Sequence, residues 1–158
     1  MLFDSHTHIN NENYTDEQRA ALIAEIAASD VSYAMDIGFD LASSVQAVKD
    51  AQENDWCYAV VGFHPHDAKN MDDMTLELIG GLAKKDKVKA IGEIGLDYYY
   101  DHSERDVQQF WFRRQIQLAN QLKMPIVIHT READQDTMAI LKEEGAFSAE
   151  RQSWFPTV

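Results

Sequence analysis

Two histidines one residue apart, His6 and His8, close the segment Leu2-Phe3-Asp4-Ser5-His6-Thr7-His8, which reads as a β-strand. Side chains two apart on a strand point the same way, with Cα atoms roughly 6.6 Å apart. Both imidazoles can therefore chelate one ion, although such pairs also occur on surfaces and as hydrogen-bonded core histidines. Asp4 shares their parity. It either fixes an imidazole tautomer from a second layer or lines the pocket wall without touching metal. Glu93 lies in the run Ile91-Gly92-Glu93-Ile94-Gly95-Leu96-Asp97-Tyr98, whose glycines let backbone or ligand come close. A carboxylate in so apolar a strand calls for a cation, and a carboxylate can bridge two. Glu93 is thus a candidate shared ligand. His129 follows Pro125-Ile126-Val127-Ile128 and suits a ligand to a second ion; taken singly it also reads as a strand-end histidine.

Around this set stand groups of less definite role. Gly62-Phe63-His64-Pro65-His66 carries two more histidines. We read His64 and His66 as contacts to a phosphate rather than metal ligands, with a turn-forming role as the alternative. The guanidinium of Arg131 suits a phosphate oxygen, or equally a salt bridge. His102, amid charged residues ahead of a helix, reads as solvated. The single cysteine, Cys57, opens an apolar run and reads as a small core residue. One cysteine excludes an internal disulfide and a Cys-rich zinc cluster.

These residues need elements to hold them. Five short apolar runs, at 2–8, 31–38, 57–64, 88–94 and 125–130, alternate with five amphipathic segments. That alternation predicts βα units. Runs apolar on both faces, such as Tyr58-Ala59-Val60-Val61, suit parallel strands covered on both sides. Thr15 with Gln18 predicts a capping box, and Ser103 with Asp106 a second one. In the fourth helix Val107, Trp111, Leu118 and Leu122 share a face, beside Phe112, Ile116 and Ala119, and Pro125 marks the next strand after it. Histidines or carboxylates fall at the C-terminal ends of four of the five strands, and the first turn, Ile9-Asn10-Asn11-Glu12, lacks glycine. This favours a TIM-type (β/α)8 barrel, with about five βα units present, over an open dinucleotide-binding sheet.

At 158 residues with 45% hydrophobic content the chain can build one domain with a core. It shows no apolar run near the roughly 18 residues of a membrane span and no basic segment leading into an apolar one, so a cytoplasmic location is expected. The 27 acidic residues against 14 basic argue against a broad basic face for duplex DNA. A strand end needs only local positive charge, which divalent metal supplies; the acidity equally serves solubility.

Phe3-Asp4-Ser5-His6-Thr7-His8, the Gly-x-His-Pro-His turn at Gly62, Gly92-Glu93-Ile94-Gly95-Leu96-Asp97-Tyr98 and Ile128-His129-Thr130-Arg131, in this order, closely resemble the TatD family of metal-dependent deoxyribonucleases, from residue 1 to about 145. The resemblance implies an amidohydrolase-type barrel with two divalent ions, Zn, Mn, Mg or Ni, hydrolysing phosphodiester bonds at DNA ends, expected to be single-stranded. It implies that His6, His8 and Glu93 hold one ion and Glu93 and His129 the other, with Glu93 at the catalytic centre. The family pattern also has a later histidine before a Ser-Gly turn and a late aspartate that is both ligand and proton acceptor. Neither is found here, and eight units at this spacing imply roughly 230 to 260 residues. The expectation is therefore the N-terminal portion of such a barrel, with 146–158 a loop leading toward a sixth strand.

Rival expectations follow. The chain could be a non-catalytic fragment that pairs with a C-terminal half or with another copy, because open strand edges invite pairing. It could also be another barrel hydrolase, such as a PHP-type phosphoesterase, or act on a different ester such as D-aminoacyl-tRNA. The Gly-Glu-Ile-Gly-Leu-Asp run counts against the PHP type.

Overall fold

A computed structural model describes residues 1–154. Five strands, β1 (Leu2–Thr7), β2 (Val31–Ile37), β3 (Cys57–Val61), β4 (Val88–Asp97) and β5 (Ile126–Arg131), form one sheet in sequential order. Every neighbouring pair is parallel. Helices α1 (Asp16–Ala27), α2 (Leu41–Glu53), α3 (Asp73–Ala83) and α4 (Arg105–Leu122) make the crossovers, and α5 (Asp134–Glu143) follows β5. Sequential parallel order is what right-handed βα crossovers build when a sheet curls toward a barrel.

The alternation of strand side chains divides the core in two. Ala59 and Val61 of β3 join Ile79, Phe112 and Ile116 between sheet and helices. Val60, one residue over, packs on the other face with Ile37, Ala90, Met35 and Val127, all strand residues. In α4 Trp111, Phe112, Ile116 and Ala119 are buried as the apolar stripe predicts. The sheet's first strand is exposed along most of its length, with Leu2 and Phe3 at 58% and 59%. Among the described residues no helix is long and apolar enough to cross a membrane.

Local signals hold in some places and fail in others. Thr15 caps α1 as expected, its Oγ1 accepting from the Gln18 N–H while Gln18 Oε1 accepts from the Thr15 N–H. The Ser103 box does not form: Glu104 occupies the cap position without a side-chain bond. The Ser103 hydroxyl is used elsewhere, donating to the His66 carbonyl and accepting from the Lys69 N–H. The strand over 88–94 continues to Asp97. The segment expected as a loop from residue 146 contains a short helix, α6 (Ala149–Gln152), capped by Ser148. Buried Arg151 ties it down by donating to Asn120 Oδ1 and to the Met124 carbonyl. The remainder of that expectation, including Phe155 and Pro156, lies outside the described residues.

Candidate metal centre

Strands β1, β4 and β5 bring His6, His8, Glu93 and His129 together, with Glu93 inside β4, which runs on to Asp97, and not at its end. The chain makes room for this by omitting side chains. A Cβ on Gly92 would lie 2.7 Å from Val127 Cβ, so β5 approaches β4 beside Glu93 only because residue 92 is glycine. The Glu93 N–H donates to the Gly38 carbonyl at the end of β2. Glu93 itself is 9% exposed. One of its oxygens faces His6 Nε2 at 3.4 Å and the other faces His129 Nδ1 at 3.3 Å.

Two clusters share this carboxylate. Ligand atoms of His6, His8 and Glu93 lie within 4.8 Å of one another, as do those of His64, Glu93 and His129. Imidazole and carboxylate at such spacing are a donor set suited to first-row divalent ions. The hydrogen bonds sort these imidazoles by which nitrogen is free. His8 Nδ1 is 2.9 Å from the Ile37 carbonyl, which only accepts, so the proton sits on Nδ1 and the Nε2 lone pair is free. His129 Nε2 donates to Asp97 Oδ2 at 3.0 Å, which leaves Nδ1, 3.3 Å from Glu93, as the nitrogen that would meet a metal. His64 is the reverse: its Nδ1 accepts the His66 N–H at 3.2 Å, which puts the proton on Nε2 in the neutral ring. A neutral imidazole so arranged donates at Nε2 and cannot ligate there. His64 therefore belongs to the second cluster by distance but is built as a donor.

Electrostatics shift the two rings in opposite directions. Burial among neighbouring imidazoles pushes His64 down to about 3, so it is neutral at physiological pH. His129 is raised by its bonds to Glu93 and Asp97 despite burial. Burial opposes the charge on Glu93, but His129, His64 and His6 outweigh it and hold its carboxyl below the ordinary value.

Asp97 is the residue the sequence reading passed over. It is fully buried, and Oδ2 accepts from both His66 Nε2 at 2.9 Å and His129 Nε2 at 3.0 Å. Oδ1 accepts the Tyr99 and Tyr100 N–H groups at 3.1 and 2.9 Å. Burial opposes its ionisation, yet these donors hold its carboxyl down to about 2. The signal was present: Asp97 shares the strand parity of Glu93, the test applied to His6 and His8. Gln108 and Gln115, two turns apart on α4, were also passed over. Gln115 pairs with both backbone groups of Phe63, and Gln108 with both of Asp97, so α4 fixes the ends of β3 and β4.

The remaining expected residues are placed as follows. His64 and His66 line a cleft of about 390 Å³ with His8, Phe39 and Glu93. Asp4 accepts the backbone N–H of His6 rather than an imidazole. Arg131 makes no ion pair among the described residues; its guanidinium lies over the rings of Tyr99 and Tyr100, 4.1 and 4.8 Å from their centroids. His102 is exposed yet not simply solvated, being stacked on Tyr100 with rings 6° from parallel.

A curled, all-parallel α/β half-barrel that clusters histidines with a buried glutamate defines the class of fold and site. Comparison with known proteins narrows it. The family model for TatD related DNase matches residues 3–152, and the chain belongs to that family. It is 44% identical over 146 residues to the uncharacterized metal-dependent hydrolase YabD of Bacillus subtilis, covering 92% of this chain and 57% of that protein. It is 33% identical over 140 residues to the 3'-5' ssDNA/RNA exonuclease TatD of Cronobacter sakazakii, covering 89% and 53%. The crystal structure of the TatD homologue YJJV from Escherichia coli superposes with a TM-score of 0.80 at 24% identity, over 90% of this chain and 56% of that one, and so shares the fold. The chain spans about half the length of the curated relatives it matches.

Proposed function

We propose that these residues form the metal-binding part of a divalent-metal-dependent hydrolase that cleaves phosphodiester bonds at single-stranded nucleic-acid ends. The observation that carries this reading is Glu93, whose two oxygens face histidines on opposite sides. Paired divalent ions, when bound, supply Lewis acidity and a water acidified toward a pKa of about 7.

The chain's own groups then have distinct tasks. His6, His8 and Glu93 hold one ion, and Glu93 and His129 the other. The His64 Nε2–H donates to a phosphate oxygen across the cleft. Asp97 keeps the His129 proton on Nε2 and orients His66. Arg131 adds positive charge beside them. The name of the Cronobacter relative supports a single-stranded substrate. The test is release of mononucleotides from a labelled single-stranded oligonucleotide with Mn2+, Mg2+ or Zn2+, compared with turnover of an aminoacyl ester. Divalent-dependent release that is lost in Glu93→Ala is expected; unchanged release in that variant sinks the proposal.

One observation favours a second reading. The exposed flank of β1 leaves strand hydrogen-bonding groups and apolar side chains uncovered, as in a barrel wall that closes against further strands. On that reading the chain binds metal but turns over only with a complementary half. Two bound ions without nucleotide release, in a chain that self-associates on a sizing column, identify it.

A further inference from the structure

An exposed group of rings stands beside the metal centre and takes no part in it. Tyr99 and Tyr100 are 53% and 48% exposed, although large apolar rings are ordinarily covered. Tyr100 and His102 lie face to face at 5.4 Å between centroids, brought side by side by a turn in which Asp101 takes a positive φ of 49°. Tyr99 meets Tyr100 edge-on at 4.7 Å. The group is held in place: the Tyr99 and Tyr100 N–H groups bond to Asp97, and Lys69 Nζ donates to the His102 carbonyl at 2.9 Å.

Its position relative to the site is as specific as its geometry. His66 touches Tyr100 and His102 edge-on, at 5.4 and 4.7 Å, and the same Asp97 oxygen that accepts from His66 accepts from His129. The Arg131 guanidinium lies over Tyr99 and Tyr100. Fixed, solvent-facing aromatic rings with a guanidinium among them, one imidazole away from a phosphate-binding cleft, are what proteins use to stack unpaired bases.

We propose that Tyr100 and His102, with Tyr99 and Arg131 beside them, form a stacking subsite for an unpaired nucleobase adjoining the scissile phosphodiester. The inference rests on the proposed function and adds to it how the substrate is gripped. The base extends the Tyr100–His102 stack while its phosphate enters the cleft at His64. Stacking tolerates any base, so the subsite selects for single-stranded ends over paired ones and not for sequence.

The test measures binding to the chain as it stands, with Mn2+ added and before any cleavage, by fluorescence anisotropy of a dye-labelled thymidine pentanucleotide and of the same oligomer with an abasic residue at its 3' end. The base-bearing oligomer is expected to bind on the order of tenfold more tightly. Tyr100→Leu should bring the two to equal affinity, while Phe110→Leu, at an exposed ring outside the subsite, on α4, should keep the gap. Equal binding of both oligomers by the unaltered chain, or a gap that persists in Tyr100→Leu, overturns the subsite and leaves the phosphodiester reading standing. Binding of neither oligomer removes the nucleic-acid reading and the subsite with it.

Discussion

Asp97 Oδ2 and His129 Nε2 lie 3.0 Å apart, and this bond leaves the other nitrogen of His129 facing Glu93 at 3.3 Å. A carboxylate behind an imidazole fixes its tautomer and raises its basicity. In Asp97→Asn an amide N–H replaces a lone pair on that side, so the His129 proton moves to the nitrogen needed for metal. Binding at the cluster containing His129 should weaken by about 10- to 100-fold, with the cluster of His6 and His8 less affected. Calorimetric titration of Zn2+ or Mn2+ should then resolve one tight and one weakened site. Two sites of unaltered affinity would show that Asp97 has no such role.

The approach of β5 to β4 gives a prediction about stability. Gly92→Ala places a Cβ 2.7 Å from Val127 Cβ and 2.8 Å from the Val127 carbonyl oxygen, and neither atom is the end of a flexible chain. A loss on the order of 1–3 kcal/mol is expected, as for other overpacked cores. Gly81 in α3 has nothing within 4 Å of its added Cβ. Gly81→Ala should therefore stabilise the chain by about 0.5–1 kcal/mol through helix propensity. Urea unfolding of both variants checks the pair, and equal effects would refute it.

What could be read from sequence, and what could not, follows from the range of the interactions. Glu93 and His129 stand out because each is a polar group in an apolar run, and His6 and His8 because they are two apart on one strand; both signals are local. The five βα units are visible for the same reason. Asp97 lies past Ile94, where the apolar run suggests that the strand ends; its pairing with Arg131 of β5 and the bonds from Gln108 of α4 carry β4 to its full length. Ser103 looked like a cap from its neighbours in sequence, but its hydroxyl bonds to residues 34 and 37 positions away. The donor character of His64 depends on a backbone N–H two residues on, and residue type alone does not reveal it.

Asp36 should make stability depend on pH. It is fully buried on β2, accepting the Asn10 N–H at 3.2 Å, and faces Asp50 of α2, near which lie Arg19 of α1 and Glu53 of α2. Burial, helped by Asp50, pushes its carboxyl from 3.8 to about 8. Between those values the folded chain holds a proton that the unfolded chain has released. Stability from this group is thus complete below about pH 4 and lost as pH rises through about 8. Asp36→Asn keeps the acceptor for Asn10 and removes the charge. Its melting temperature should vary less between pH 5 and 8.5, and at the upper end it should exceed the unaltered protein by about 1–3 kcal/mol in stability. A variant with the same pH slope as the parent would rule out Asp36 as its source.

His64 separates ligand from donor most sharply. By distance it could complete the cluster of Glu93 and His129, but its Nδ1 accepts the His66 N–H and its neutral ring carries the proton on Nε2. Asn at this position can present its carbonyl oxygen where Nδ1 stood, keeping the cap of the turn Pro65–Asn70, and lacks the Nε2–H. If His64 is a donor to phosphate, His64→Asn should retain metal stoichiometry and affinity. Its affinity for inorganic phosphate in the metal-loaded state should fall by about 10-fold, the worth of one hydrogen bond to a charged group. If His64 is a ligand, metal is lost first and phosphate binding falls only as a consequence. Titrating metal and then phosphate into the same variant tells the two apart, and the use of Nδ1 as acceptor for the His66 N–H predicts the first outcome.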